Sequence, residues 1–237
     1  MSQTTPDRSG RGPAARGGAE RRNVRGDATR RSILTAAERL FAERGISAVP
    51  LRDIGLAAGQ RNHAVVQYHF GDRDEVVRAI VESRGAESEA KRIDVTTELM
   101  LGRKPARVDD VVSAFVRPLA IHIRPGNHYL AFLSRFITEA GGYESLGTDV
   151  HTGGSVLAIR PLLGRLVPQV PEAILDERWY VLMTSAVHAL ARYQSALARP
   201  SGLPAEIDVL IEDLVAFLSA GLTAPVVGSD PRTDAAG

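Results

Sequence analysis

The chain has no cysteine among its 237 residues, so it has neither disulfide bonds nor thiolate ligands for a metal ion. It also has no apolar run near the roughly 18 residues that a membrane-spanning helix needs. The basic N-terminus has no apolar segment of the kind found in signal peptides. We therefore expect a soluble protein of the cytoplasm.

Sequence signatures of enzymes are missing as well. The six histidines show no H-x-x-x-H or H-E-x-x-H spacing, which argues against a zinc site on a helix. No G-x-S-x-G, Walker or G-x-G-x-x-G sequence occurs, and Gly153-Gly154-Ser155 is too short for a phosphate cradle. We expect no catalytic activity, no cofactor and no bound metal, although an enzyme using His122 or His128 stays open as a third class.

Charge is unevenly distributed in a chain that is otherwise typical of a globular protein, with 44% hydrophobic and 24% charged residues. Residues 1–80 hold 14 arginines, no lysine and 9 acidic residues, for a net charge of +5. Residues 81–237 hold 15 basic and 19 acidic residues, for a net charge of −4. A basic N-terminal part and an acidic remainder indicate that the N-terminal part contacts a polyanion.

The first 26 residues are rich in glycine, proline, serine and arginine and show no apolar periodicity. This composition predicts a disordered arm. Six arginines against Asp7 and Glu20 give the arm a net charge of +4. Two interpretations stay open: a solvated tail, or an arm that lies along phosphates or enters a minor groove.

The stretch from Leu51 to Glu75, LRDIGLAAGQRNHAVVQYHFGDRDE, predicts two short helices followed by the start of a third. Gly59 lies at the corner between the two helices, where a positive φ favours glycine. Asn62 is a good N-cap, so we expect the second helix to begin near it. Val66 and Phe70 lie four residues apart and are predicted to point inward. In the first helix the inward positions are Leu51, Ile54 and either Leu56 or Ala57.

The outward face of the second helix carries His63, Ala64, Gln67 and Tyr68. Small and hydrogen-bonding side chains of this kind suit the reading of base edges. The pattern is that of a helix-turn-helix with a presented second helix. Periodicity alone leaves a purely structural helix pair as the alternative, because two amphipathic helices joined through glycine look the same.

The particular residues go further than the periodicity. The series R-D-I-x-x-A-A-G, then Y-H-F ending eleven residues after the glycine, then D-R-D-E-V, resembles the N-terminal domain of the TetR family of bacterial transcriptional regulators. The resemblance covers about residues 30–80 and is only architectural beyond them. It implies an all-α protein with a DNA-binding domain at 27–74 and an effector-binding and dimerisation domain at 75–224. The arm at 1–26 and a tail at 225–237 are expected to be disordered.

The resemblance also implies which residues contact DNA. The recognition helix and the residues before it enter the major groove in this family, and Arg61, Gln67 and Val65 suit guanine, adenine and a thymine methyl. Arg52, Tyr68, His69 and Arg73 are expected near phosphates, with Arg52 also able to reach a guanine edge. The full set is Arg52, Gln60, Arg61, Asn62, His63, Ala64, Val65, Gln67, Tyr68, His69 and Arg73.

Two details of this region concern local geometry. Asp72 and Glu75 form a D-x-x-E sequence that predicts a capping box at the start of the next helix. The family pattern has ten residues from the corner glycine to the phenylalanine, whereas this chain has eleven. The extra residue either widens the turn or lengthens the start of the helix.

Downstream, apolar spacing predicts helices over 72–100, from Val108 to before Pro125, and over 129–140, 155–166, 176–198 and 205–222, with a glycine-rich loop at 141–154. Residues 129–140 are apolar nearly all round, which predicts a central buried helix. The last two helices carry more apolar surface than one core needs. In the family such a pair meets its copy in a four-helix dimer interface. The predicted interface residues are Ala186, Leu190, Tyr193, Leu210, Leu214 and Phe217.

Polar residues within apolar helices raise the question of an effector pocket. They are either satisfied groups of the core or the polar anchors of a pocket for a small apolar or amphipathic effector. The candidate residues are His122, His128, Phe132, Arg135, Phe136, Trp179, Met183 and His188. The resemblance implies a dimeric regulator, most often a repressor, that leaves a palindromic operator when the effector binds. The alternative is a DNA-binding regulator without an effector, controlled by a partner protein or by abundance.

Overall fold

The computed structural model describes residues 14–62, 64–102, 105–139, 150–197 and 199–227. Every regular element in these ranges is an α-helix, as the sequence predicts. None of the helices in these ranges is long and apolar enough to cross a membrane. The elements are α1 (Ala14–Arg44), α2 (Leu51–Ala57), α3 (Val65–Phe70), α4 (Arg73–Met100), α5 (Val108–Ala120), α6 (Tyr129–Glu139), α7 (Val150–Leu166), α8 (Glu172–Leu197) and α9 (Ile207–Thr223).

The first helix is longer than its end signals predict, since Asp27 as an N-cap and Gly45 as a stop indicate a helix over residues 27–44. Its inward stripe of Ile33, Ala37, Leu40 and Phe41 is buried, as its helical spacing indicates. It begins at Ala14 and not near Asp27, so the prediction of a disordered arm is wrong for residues 14–26. Alanine, arginine and glutamate in this segment are good helix formers, and a nucleated helix extends without a further nucleation cost, whereas Gly17, Gly18 and Gly26 each disfavour it by about 1 kcal/mol. Residues 1–13 lie outside the described part of the chain.

The helix pair α2 and α3 is joined as the sequence predicts, with Gly59 at φ +71°. Ile54 is fully buried, but Leu56 is 57% exposed and Ala57 is also exposed, so the predicted third inward position is wrong for either residue. The buried neighbour of Ile54 is Gly55. Helical periodicity places positions 51, 54, 55 and 58 on one face, and Gly55 is the position on that face where α3 comes close.

Helix α3 is shorter than predicted, because it begins at Val65 and not near Asn62. The Asn62 side-chain oxygen accepts a hydrogen bond from the Ala64 amide at 3.0 Å, so Asn62 caps the turn that precedes the helix. The extra residue relative to the family pattern therefore lies in the turn. Val66 and Phe70 are buried as predicted.

The start of α4 shows half of the predicted capping box. The Asp72 carboxylate accepts a hydrogen bond from the Glu75 amide at 2.9 Å. The Glu75 carboxylate, in contrast, pairs with Arg78 on the next turn of the same helix. One cap is sufficient to fix where α4 begins.

The remaining helices form the body of the protein around α6, whose apolar side chains are buried as predicted. Helix α6 packs against α8 and α1, α4 packs against α7 and α5, and α9 packs against α5 and α8. Helix α7 begins at Val150, so the predicted loop at 141–154 ends earlier than expected. The Glu89 carboxylate accepts from both the amide and the hydroxyl of Ser155, and this contact with α4 helps to offset the cost of Gly153 and Gly154 in a helix.

Candidate nucleic-acid interface

Three contacts hold α3 in position on the side that faces α1 and α2. A Cβ at Gly55 would lie 3.6 Å from both Val65 Cγ1 and Val66 Cγ2, an ordinary van der Waals distance, so α2 packs directly against the start of α3 at this position. The Arg30 guanidinium lies over the Phe70 ring at 4.3 Å and donates to the His69 carbonyl at 3.2 Å. These contacts fix the helix axis relative to α1 and α2, and they leave its opposite face free.

The free face of α3 carries the predicted polar residues. Gln67 is exposed, and Tyr68 is 85% exposed. Ala64 is exposed at the start of the helix, and Arg61 and Asn62 are exposed in the turn before it. Together they form a contiguous polar surface with one guanidinium, one phenol and two amides. Such groups can donate to and accept from base edges and phosphates. His63 falls outside the described residues.

Three of the predicted contact residues are engaged within the protein. The Gln60 side-chain amide donates to the Ala58 carbonyl at 3.2 Å and so closes the turn. Val65 is half-buried and packs against the hydrophobic core. The Arg73 guanidinium donates to the Val49 carbonyl at 3.1 Å, which joins the start of α4 to the loop after α1. These three side chains support the surface more than they form it.

The two other predicted contacts flank this surface. Arg52 is exposed at the start of α2, with its Nε 3.3 Å from an Asp53 carboxylate oxygen. An exposed pair of this kind is weak, so Arg52 can exchange it for a phosphate. His69 is half-buried at the end of α3, where its carbonyl accepts from Arg30.

The residues predicted to line an effector pocket do not converge on one site. Phe132 and Phe136 stack on each other at 6.3 Å, and Phe132 also stacks on Phe41 of α1 at 6.2 Å. Trp179 packs against the Phe115 ring on α5 at 5.7 Å, and Met183 is buried one turn further along α8. Arg135 and His188 are exposed and His128 is half-buried.

His122 is fully buried and lies in a polar cluster of its own. Its Nε2 is 2.9 Å from the Ser88 hydroxyl, and its carbonyl accepts from the Gln194 amide at 2.7 Å. Burial lowers the pKa of His122 to about 4, so the ring is neutral at pH 7. Ser88, Arg92 and Thr96 follow at four-residue spacing along the buried face of α4. The interior therefore contains a stripe of polar side chains beside the aromatic residues.

The predicted dimer interface is wrong for four of its six residues. Ala186, Leu190 and Tyr193 on α8 and Leu214 on α9 are buried inside the protomer. Both sides of α8 carry apolar residues, so spacing alone does not distinguish the inward side from the outward one. Leu210 is half-buried and Phe217 is 71% exposed, so only these two are accessible to a partner.

The outward apolar face of α8 and α9 is centred on Phe217. Val181 is 58% exposed and Ile174 is 38% exposed on the neighbouring side of α8. They line a groove of about 450 Å³ that also includes Ser185 and Gly221. We call this groove and its rim the α8–α9 face.

Comparison with known proteins is consistent with these features. The family described as "Bacterial regulatory proteins, tetR family" matches residues 33–80, and "Tetracyclin repressor-like, C-terminal domain" matches residues 112–221. The HTH-type transcriptional repressor Rv3405c of Mycobacterium tuberculosis is 46% identical over 54 residues, which cover 23% of this chain and 28% of that protein. The match thus spans little more than a quarter of that relative.

Longer similarities extend over most of the chain. The HTH-type transcriptional regulator TtgR of Pseudomonas putida is 27% identical over 213 residues, covering 82% of this chain and 90% of that protein. A TetR family transcription regulator from Marinobacter aquaeolei has the same fold, with a TM-score of 0.58, 16% identity and coverage of 84% of this chain and 97% of that one. The chain therefore belongs to the TetR family of DNA-binding transcriptional regulators, which are not enzymes.

Proposed function

We propose that this protein represses transcription by binding a palindromic operator as a homodimer, one recognition helix in each of two major grooves. The observation that carries the proposal is the free polar face of α3, with Gln67 and Tyr68 exposed on a helix whose other side is buried. A single short helix reads few base pairs, and each correct pair contributes only about 1–3 kcal/mol of discrimination. Two copies related by a twofold axis double that number, and their symmetry requires an inverted repeat.

The α8–α9 face supports the dimer. Phe217 and Val181 expose large apolar side chains next to each other, and a second copy would remove both from water. Regulators of this family typically act as dimers, which is consistent with such a face. The groove beside Phe217 is apolar enough to accept the same side chain from a second copy.

Release by a small apolar or amphipathic effector is the second part of the proposal. The Thr96 hydroxyl and the side-chain oxygen of Gln194 are buried in the described structure without a hydrogen-bond partner. Leaving such groups unsatisfied costs stability, and a ligand with matching donors would recover that cost. Thr96 in the polar stripe of α4 and Gln194 on α8 are therefore the candidate anchors for the effector.

A regulator without an effector, controlled by a partner protein or by abundance, is the second candidate. In that case the polar stripe is only part of the core. Thermal unfolding of the wild-type protein with a panel of small amphipathic compounds separates the two, since a ligand that binds the folded state raises the melting temperature. A compound that both raises the melting temperature and weakens DNA binding would favour regulation by an effector.

Selection of duplexes from a randomised library tests the DNA-binding proposal, and we expect the wild-type protein to recover an inverted repeat. Gln67→Ala should lose about 1–3 kcal/mol of discrimination at one base pair in each half-site and keep the rest of the preference. Arg52→Gln is the matched contrast, because a lost phosphate contact weakens all duplexes alike and lowers the salt slope by about one counterion per protomer. Arg52 suits this test better than Arg73, which also bonds Val49. An unchanged base preference in Gln67→Ala would contradict the assignment.

A further inference from the structure

Helix α6 runs beside the C-terminal part of α1 in the same direction, and a carboxylate bonds the two segments together at each end of α6. Near the start of α6, the Glu38 carboxylate on α1 accepts from the His128 amide at 3.0 Å and from Arg84 Nε at 2.6 Å. Near the end of α6, the Glu139 carboxylate reaches back to the residues that follow α1. The stacked rings of Phe41 and Phe132 lie between these two contacts.

The contact of Glu139 is specific in its geometry. One carboxylate oxygen accepts from the Ile46 amide at 2.9 Å, the Ser47 amide at 3.1 Å and the Ser47 hydroxyl at 3.2 Å. A Cβ at Gly45 would lie 2.6 Å from the other carboxylate oxygen, and Gly45 has φ +90°. The backbone after α1 is thus shaped to receive an anion, with successive amides pointing at it and a glycine leaving room.

The loop that receives Glu139 is the connection between α1 and α2. Residues 45–50 lead directly into α2, which precedes the turn and the recognition helix. On its other side the same loop is bonded to Arg73 at the start of α4 through the Val49 carbonyl. The orientation of α2 and α3 therefore depends on a loop that the end of α6 holds.

The other side of α6 faces the element that carries the proposed dimer contact. Helix α6 packs against α8 along its length, and α8 presents Val181 on the α8–α9 face. A continuous path of packed helices therefore leads from the proposed dimer contact through α6 to the loop before α2. In the proposed dimer, the distance between the two recognition helices would depend on the packing along this path.

We propose that Glu139 is a positioning residue for DNA binding: its bonds to Ile46 and Ser47 hold the recognition helices at the spacing that the operator requires. This inference rests on the proposed dimeric operator binding. Glu139 contacts no DNA in this account and acts only through the loop. Its side chain is exposed, so it adds little to the buried core.

The test compares Glu139→Ala with Glu139→Gln and with Glu82→Ala, which removes an exposed carboxylate from α4. Hydrogen exchange of the full-length protein reports the loop directly, and affinity for the duplex selected by the wild-type protein reports the function. In Glu139→Ala we expect faster hydrogen exchange at the Ile46 and Ser47 amides and unchanged exchange at Val66 and Phe70. We also expect the affinity for the selected duplex to fall about tenfold, because the free energy of one charge-assisted hydrogen bond corresponds to a change of about this size. Glu139→Gln keeps an accepting oxygen and should recover most of the affinity.

The Glu82→Ala control separates the loss of the loop contact from the loss of a negative charge, because the two change the DNA affinity in opposite directions. Removing a carboxylate makes the protein more basic, which by itself strengthens DNA binding, as we expect for Glu82→Ala. Faster loop exchange with unchanged affinity in Glu139→Ala would overturn the positioning role, and so would unchanged exchange. A wild-type protein that selects no duplex would overturn the proposed function itself, and the positioning role with it, whatever the exchange data show.

Discussion

Phe217→Glu is expected to convert the protein to a monomer and to lower its affinity for the selected duplex by about 100-fold or more. Phe217 is the most exposed large side chain of the α8–α9 face. A carboxylate there would be buried at the centre of the interface, and Arg178, which lines the same groove, already donates to main-chain carbonyls at the end of α9, so the buried charge is strongly unfavourable. The monomer would then lose both the second half-site and the effective-concentration advantage of two linked recognition helices.

Ile93→Glu is the matched control for this substitution. Ile93 is 51% exposed on α4, so the same charge replaces an exposed apolar side chain at a site away from the α8–α9 face. Sedimentation velocity should show a dimer for Ile93→Glu and a monomer for Phe217→Glu. A Phe217→Glu protein that stays dimeric and binds the duplex like the wild type would show that α8 and α9 do not form the interface. Leu214→Glu is unsuitable for this test, because Leu214 is buried in the protomer core and the substitution would destabilise the fold itself.

The second large effect concerns His122 and acid stability. The pKa of the buried ring is lowered to about 4, whereas an unfolded chain binds the same proton near pH 6.5. Between these values the unfolded state binds more protons than the folded state, so stability falls as the pH falls. We expect His122 to account for a loss of about 2 kcal/mol between pH 7 and pH 5. Below pH 4 both states are protonated and the loss levels off.

Urea unfolding at fixed protein concentration measures this contribution. His122→Gln removes the titrating group and keeps a side chain that can still bond the Ser88 hydroxyl. The wild-type protein should lose about 2 kcal/mol more than the variant between pH 7 and pH 5, because the acidic residues of both proteins titrate alike. Parallel pH profiles would show that the buried ring does not titrate as its burial implies.

The helix-turn-helix was predictable from the sequence because its determinants are local. Gly59 at a positive φ, the inward pair of Val66 and Phe70 and the cap at Asp72 each depend on residues a few positions apart. The boundary of α3 was less predictable, since Asn62 can cap a turn as well as a helix. Local sequence therefore predicts the existence of this helix more reliably than it predicts the residue at which the helix begins.

The dimer face was not predictable in the same way. Helix α8 has apolar residues on two sides, and only tertiary packing decides that Leu190 faces inward and Val181 outward. The Arg178 guanidinium lies on this outward side and donates to the carbonyls of Leu222 and Ala224 at the end of α9. It binds the two helices together, a role that sequence spacing does not show.

The contacts between α1 and α6 depend on residues that are far apart in the chain. Glu139 and Ser47 are separated by 92 positions, as the hydrogen bond between them shows. Each residue alone has the appearance of an ordinary polar position at the end of an element. The same holds for Glu38, whose burial and pairing with Arg84 come only with the fold.

The measurement that tests the central claim most directly is the stoichiometry and affinity of the wild-type protein on the duplex that it selects. Sedimentation of the complex should show two protomers on one duplex with an inverted repeat. Scrambling one half-site should lower the affinity by about 100-fold or more, because half of the base contacts are lost. A single protomer bound at full affinity, or equal affinity for the intact and the half-scrambled duplex, would contradict a dimer that reads a palindrome.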